Sequence, residues 1–433
     1  MRRIIALLLL PILLLTSCGA QGGTPDHGPI PAPDPEPSPA PSDPEPTPVS
    51  PDPGPEPAED GPDPQPEPEP VSEPAQDAAA ILARMTTVEK VGQLFLIRPE
   101  SLDPGITPEQ VNDTYHYGVT EVSSAMLSFL REHPAGGVVF FGKNLTDRAG
   151  LSAFLNALDG ASATPMLYAI DEEGGPVSRA ANTDTFGIED IGPMGTIGTS
   201  GDPLRAEEAG RYIGTYLHEL GFTLDFAPVA DINTNPDNIV IGKRAFGDDP
   251  ALVSGMVSSF LKGLHSASVA GSLKHFPGHG DTVGDTHTGT VMVTKTWEEL
   301  LKAELIPFID NFEQADMIMV AHLSLPNITS DGLPASLSQE LITGKLRGEL
   351  GYTGLVITDA LAMGAVAENY PAGEAAVLAF EAGADLLLMP WDYEAAFSAV
   401  LDAVNSGAIS QERLDESVLR ILQLKERLGL LQN

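Results

Sequence analysis

Val356-Ile357-Thr358-Asp359-Ala360-Leu361-Ala362-Met363 sets a carboxylate directly behind a short apolar run. With Gly354 and Leu355 ahead of it, the run is nearly continuous in apolar character. That is the pattern of a strand buried on both faces of a parallel sheet. Asp359 alone would serve equally well as the N-cap of a following helix. Its surroundings decide the matter, because the same unit recurs along the chain.

Eight such runs follow one another, at residues 93–97, 136–141, 166–170, 222–227, 270–275, 316–321, 354–358 and 384–389. Helical patterns lie between them, at 203–220, 250–267, 297–312 and 338–350. Ser410 is placed to cap a last helix reaching Leu428, with Glu412 and Arg413 in its early turns. Eight βα-like units in roughly 350 residues predict a single-domain (β/α)8 TIM-type barrel. A doubly wound open sheet is the alternative. The ends of the runs favour the barrel. Asp171 follows the third, Lys274-His275 close the fifth, His322 follows the sixth and Asp359 the seventh. A barrel gathers these ends at one mouth, whereas an open sheet strings them along an edge.

Four clusters carry the polar chemistry. One is Asp359 itself. The second is Lys274-His275-Phe276-Pro277-Gly278-His279-Gly280-Asp281-Thr282, continuing to Gly284-Asp285-Thr286-His287. The third is Ala169-Ile170-Asp171-Glu172-Glu173-Gly174-Gly175-Pro176-Val177-Ser178-Arg179. The fourth is Asn238-Ile239-Val240-Ile241-Gly242-Lys243-Arg244-Ala245-Phe246-Gly247. Charged groups among glycines also suit solvated loops, and His279 read singly suits a hydrogen-bonded structural histidine. Histidine with carboxylate can ligate metal, but the spacing fits no common zinc pattern, and Lys274 beside His275 would repel a cation. No metal and no cofactor are expected. Asp, Arg and Lys directed into one mouth do suit sugar hydroxyls, since Asp accepts two hydroxyl protons while Arg and Lys donate.

Taken with Phe226-Ala227-Pro228-Val229-Ala230-Asp231 and Ser417-Val418-Leu419-Arg420-Ile421-Leu422, these clusters resemble glycoside hydrolase family 3, from about Met85 to Gly429. The loop from Lys274 to His287 resembles the β-N-acetylglucosaminidase branch, whose acid/base is a histidine on that loop. The β-glucosidase branch usually draws a glutamate from a second domain, for which the sequence after Gln423 offers no room. The resemblance implies Asp359 as nucleophile, His287 as acid/base and Asp285 as the group that orients His287. It also implies Asp171, Arg179, Arg244, Lys274 and His275 as ligands of the terminal sugar. Two departures stand out. Ala360 replaces a second acidic residue often found after the seventh strand, and Pro176 and Ala180 leave aglycone preference open.

The N-terminal part differs in kind. Met1-Arg2-Arg3 precedes an apolar run, Ile4 to Leu15, too short for a comfortable membrane span and interrupted by Pro11. It has the form of an export signal. Leu15-Thr16-Ser17-Cys18 follows and resembles the bacterial lipobox, with Cys18, the single cysteine, as the lipidated residue. An incidental cysteine after an ordinary signal is the alternative. Residues 1–18 are thus expected to be a lipoprotein signal and 19–77 a disordered acidic tether rich in Pro, Asp and Glu. Without Lys or Arg and almost without large apolar residues, that tether cannot offset its conformational entropy by burial. Extended, it would reach about 180 Å. Residues 78–433 are expected to form the catalytic barrel.

The formal net charge of −38 argues against nucleic acid and against electrostatic docking on anionic lipid. The expected partners are a carbohydrate substrate and, through the anchor, a membrane; a monomer is expected. The expected activity is retaining removal of terminal β-linked N-acetylglucosamine from cell-wall or chitin-type oligosaccharides, outside the membrane. The rivals are a β-glucosidase or β-xylosidase of the same family and a non-catalytic wall-binding lipoprotein. A histidine acid would not repel phosphate, so phosphorolysis stands beside hydrolysis.

Overall fold

A computed structural model describes residues 77–113, 118–286 and 289–431. Cys18, the signal segment, the tether up to residue 76 and His287 lie outside the described residues. Asp77 caps the first helix, Ala78–Leu82, accepting from Ala80 N at 2.6 Å.

Eight short strands form one parallel sheet. They are β1 (Phe95–Ile97), β2 (Gly137–Phe140), β3 (Leu167–Ile170), β4 (Leu224–Asp225), β5 (Ala270–Phe276), β6 (Met317–Val320), β7 (Leu355–Thr358) and β8 (Leu387–Leu388). Their order is β7-β6-β5-β4-β3-β2-β1-β8, chain order with the eighth strand folded round against the first. The remaining gap is bridged where Ile357 pairs in parallel with Leu386. Leu386 N donates to Val356 O at 3.0 Å there, and Thr358 N donates to Leu386 O at 3.1 Å. The sheet is a nearly closed (β/α)8 barrel. Seven strands fall inside their predicted runs, and β5 continues one residue further, to Phe276.

The strands consist of buried residues because side chains fill the barrel on one face and meet helices on the other. The helices begin where local chemistry sets them. Pro203–Leu220 follows Asp202 and Pro250–Ser266 follows Asp249; each aspartate accepts from a first-turn N–H. Gly221 ends the first of these at φ 90°, a left-handed conformation glycine adopts without strain. Ser410 caps Gln411–Arg427 through Arg413 N at 3.2 Å, as expected.

Two helical expectations are corrected. The single helix over 297–312 is two short ones, Trp297–Leu300 and Ile306–Ile309. Pro307 has no N–H to continue the ladder, so it sits at the start of the second helix and parts it from the first. The segment expected to be an ordinary helix over 338–350 is Glu340–Glu349, wound with the wider i→i+5 pattern. No described helix is long and apolar enough to cross a membrane.

Candidate active site

The C-terminal ends of the strands open into a cavity of about 870 Å³. Asp171, Arg179, Arg244, Lys274, His275 and Asp359 all line it. Six of the eight predicted binding and catalytic residues are therefore together, although up to 188 positions separate Asp171 from Asp359 in the chain. Asp285 is half-buried on the loop beyond β5, next to Thr286, which lines the cavity.

Beyond β3 the chain turns into a small antiparallel hairpin, Glu172–Gly174 against Val177–Ser178. Arg179 N donates back to Asp171 O at 3.3 Å, which brings both residues to one wall. Arg179 Nη2 stands 3.6 Å from Asp171 Oδ2, and its guanidinium lies over the Phe141 ring at 5.6 Å. Lys274, reaching up from β5, places Nζ 2.8 Å from Asp171 Oδ1 and 2.5 Å from Glu173 Oε1. Arg244 holds Glu173 with two hydrogen bonds of 2.7 Å. Cations and carboxylates alternate across the floor.

This alternation sets the charges. Burial alone would raise the Asp171 carboxyl, but Lys274 and Arg179 together outweigh it and hold the group below the usual range. Burial would likewise raise Glu173, and Arg244 and Lys274 hold it far below. Burial would lower the Lys274 ammonium, and Asp171 with Glu173 raise it instead. The floor stays ionised at neutral pH, so it offers fixed donors and acceptors to hydroxyl groups.

Two buried carboxylates, Glu173 of the cavity lining and Asp231, are additional to the residues expected from the sequence. Glu173 sits two residues past Asp171, and the period of two in an extended segment is the signal that puts both on one side. Asp231, fully buried after β4, takes His275 Nδ1 at 2.6 Å and His275 N at 3.1 Å on Oδ2, while Oδ1 takes His279 N at 2.6 Å. It fixes the start of the β5 loop. Gly280 lets that loop pass the β4 loop, since a Cβ there would lie 1.9 Å from Ile232 O.

Asp359 is held by its own backbone neighbourhood. Asp359 N donates to Val320 O at 2.9 Å, and Oδ1 accepts from Ala360 N at 2.7 Å. The next helix, Gly364–Ala367, takes Met363 as N-cap, so Asp359 does not cap it. His322, fully buried, has Nε2 2.8 Å from Ala360 O and Nδ1 2.6 Å from Ser336 Oγ. A carbonyl only accepts, so Nε2 carries the proton and Ser336 donates to Nδ1. His322 is thus a brace under the strap that carries Asp359.

A parallel barrel with a charged, concave mouth at its C-terminal end is the usual frame for an enzyme site. Residues 86–424 match the Glycosyl hydrolase family 3 N terminal domain, and the chain belongs to glycosyl hydrolase family 3. It is 32% identical to Beta-hexosaminidase A of Pseudoalteromonas piscicida over 72% of this chain and 56% of that one. It is 35% identical to the Beta-hexosaminidase of Tolumonas auensis over 67% of this chain and 86% of that one. Among solved structures, a glycoside hydrolase family 3 β-N-acetylglucosaminidase from Paenibacillus sp. str. FPU-7 superposes with TM-score 0.72 and 38% identity. That superposition covers 80% of this chain and 63% of the Paenibacillus chain. The chain thus spans less than two thirds of the Pseudoalteromonas and Paenibacillus proteins.

Proposed function

We propose that the protein is a retaining exo-β-N-acetylglucosaminidase. The observation that carries this reading is one cavity wall shared by Asp359, the charged groups Asp171, Arg179, Arg244 and Lys274, and His275. Family membership and the names of its relatives support it.

In this reading the floor residues bind the hydroxyl and acetamido groups of the terminal sugar. The Asp359 carboxylate attacks the anomeric carbon as the glycosidic bond breaks, forming a covalent glycosyl-enzyme. His287 gives its proton to the leaving oxygen. It then takes a proton from the water that attacks the same carbon and releases Asp359. A histidine in place of the usual carboxylic acid needs little tuning, because its ordinary pKa is already close to neutrality. Asp285 orients the imidazole and favours its charged form. The substrates are cell-wall or chitin-type oligosaccharides, met outside the membrane by a protein exported and lipid-anchored through Cys18.

The test is release of 4-nitrophenol from its β-N-acetylglucosaminide and, in parallel, from its β-glucoside. Preference for the acetylated sugar, lost in Asp359→Asn, supports the reading. Preference for the glucoside discards the branch, and inactivity on both favours a binding protein.

A further inference from the structure

His279 has one ring nitrogen engaged and one without a partner among the described residues. Nδ1 lies 2.7 Å from Thr282 Oγ1, and the same hydroxyl lies 2.9 Å from the His279 carbonyl oxygen. The carbonyl can only accept, so the hydroxyl proton is committed to it. Thr282 Oγ1 then accepts from Nδ1–H, which puts the proton of a neutral imidazole on Nδ1. Burial, followed by the neighbouring His275, holds the group below the ordinary imidazole range, so the neutral form prevails at pH 7. Nε2 is left as a lone pair, buried and unpartnered.

A buried acceptor without a partner is unfavourable, and native structures keep few of them. This one is held firmly. His279 N donates to Asp231 Oδ1 at 2.6 Å, and its carbonyl also accepts from Asn238 Nδ2 at 2.7 Å. The residue is 2% exposed, stands edge-on to His275 with ring centroids 6.0 Å apart, and lines the cavity with Lys274, His275 and Asp359. The Arg and Lys side chains of the cavity only donate, so a rigid neutral acceptor adds a different recognition.

We propose that His279 is a substrate-binding residue whose Nε2 lone pair accepts a hydrogen bond from a hydroxyl of the bound sugar. This rests on the reading of the cavity as the site of a terminal N-acetylglucosamine. It changes the role of His279 from a structural histidine to a specificity group.

The test measures kcat/KM for wild type, His279→Ala and His279→Gln on 4-nitrophenyl β-N-acetylglucosaminide and its 3-, 4- and 6-deoxy analogues. His279→Ala should lose about tenfold on the parent sugar, the scale of one hydrogen bond. One deoxy analogue should lose a similar factor with wild type and nothing more with His279→Ala. His279→Gln, which keeps an acceptor, should recover part of the loss. A structural role would lower all four substrates alike, so equal deoxy penalties in the wild-type and His279→Ala proteins overturn the proposal. So does a protonated Nε2 in the ¹⁵N spectrum of the free protein. Titration with N-acetylglucosamine separates the two failures. Equal affinity of wild type and His279→Ala rejects the His279 assignment, while unequal affinity without turnover rejects only the activity.

Discussion

Arg244 clasps Glu173 with two parallel hydrogen bonds, Nε to Oε2 and Nη2 to Oε1, each 2.7 Å long. Glu173 is 1% exposed and also takes Lys274 Nζ, so one carboxylate balances two largely buried cations. Glu173→Ala leaves both without it. Losing one partner of a buried charge network costs about 3–5 kcal/mol. Urea denaturation at pH 7 should show a loss on that scale.

The same carboxylate makes stability depend on acid. Its folded pKa is depressed below the ordinary 4.5. Its contribution is therefore complete above about pH 4.5 and is lost as pH falls through the folded value. Glu173→Gln has no such group to protonate. The stability gap between wild type and Glu173→Gln should narrow as pH is lowered from 5, measured by thermal melting across the series.

Lys425 acts in the same direction, in a higher pH window. Fully buried, it donates to Gln93 Oε1 at 2.6 Å and Gly136 O at 3.0 Å, and burial lowers its pKa from 10.5 to about 7. Between pH 7 and 10.5 the unfolded chain binds the proton more readily than the folded one, so this group makes stability rise with pH. The slope is at most about 1.4 kcal/mol per pH unit. Lys425→Met should lack that rise, a difference that denaturation at pH 7, 8 and 9 would reveal.

His287→Ala, on the proposed mechanism, should cut turnover by about 10²–10⁴-fold on a natural oligosaccharide. The loss should be much smaller on glycosides with acidic leaving groups, which need little protonation. Equal losses on both would remove His287 from the acid role.

Gly280→Ala should destabilise by about 1–3 kcal/mol, the usual scale of overpacking. The added Cβ meets Ile232 O at 1.9 Å, backbone that cannot swing aside as a side chain would. The melting temperature checks this, and kcat/KM should fall with it because the loop carries His279 and leads to Asp285.

The barrel was legible because its signals are local. Strands buried on both faces must be apolar nearly throughout, and caps such as Asp202, Asp249 and Ser410 act on N–H groups two or three residues away. The helix expected over 297–312 is instead two, with Pro307, itself a local signal, at the start of the second. Glu173 and Asp231 were not legible in this way, because nothing near them in sequence shows what they touch.

The sequence by itself determined the βα order, the approximate strand runs and the set of charged residues that end them. These depend on periodicity and on the chemistry of neighbours along the chain. Only the tertiary structure decided which charges meet: Glu173 with Arg244 and Lys274, Asp231 with His275, and His322 beneath Ala360 rather than in the site. Those pairings join residues 38 to 101 positions apart. They exist because closing the sheet brings successive strand ends round one mouth, where distance along the chain no longer sets distance in space.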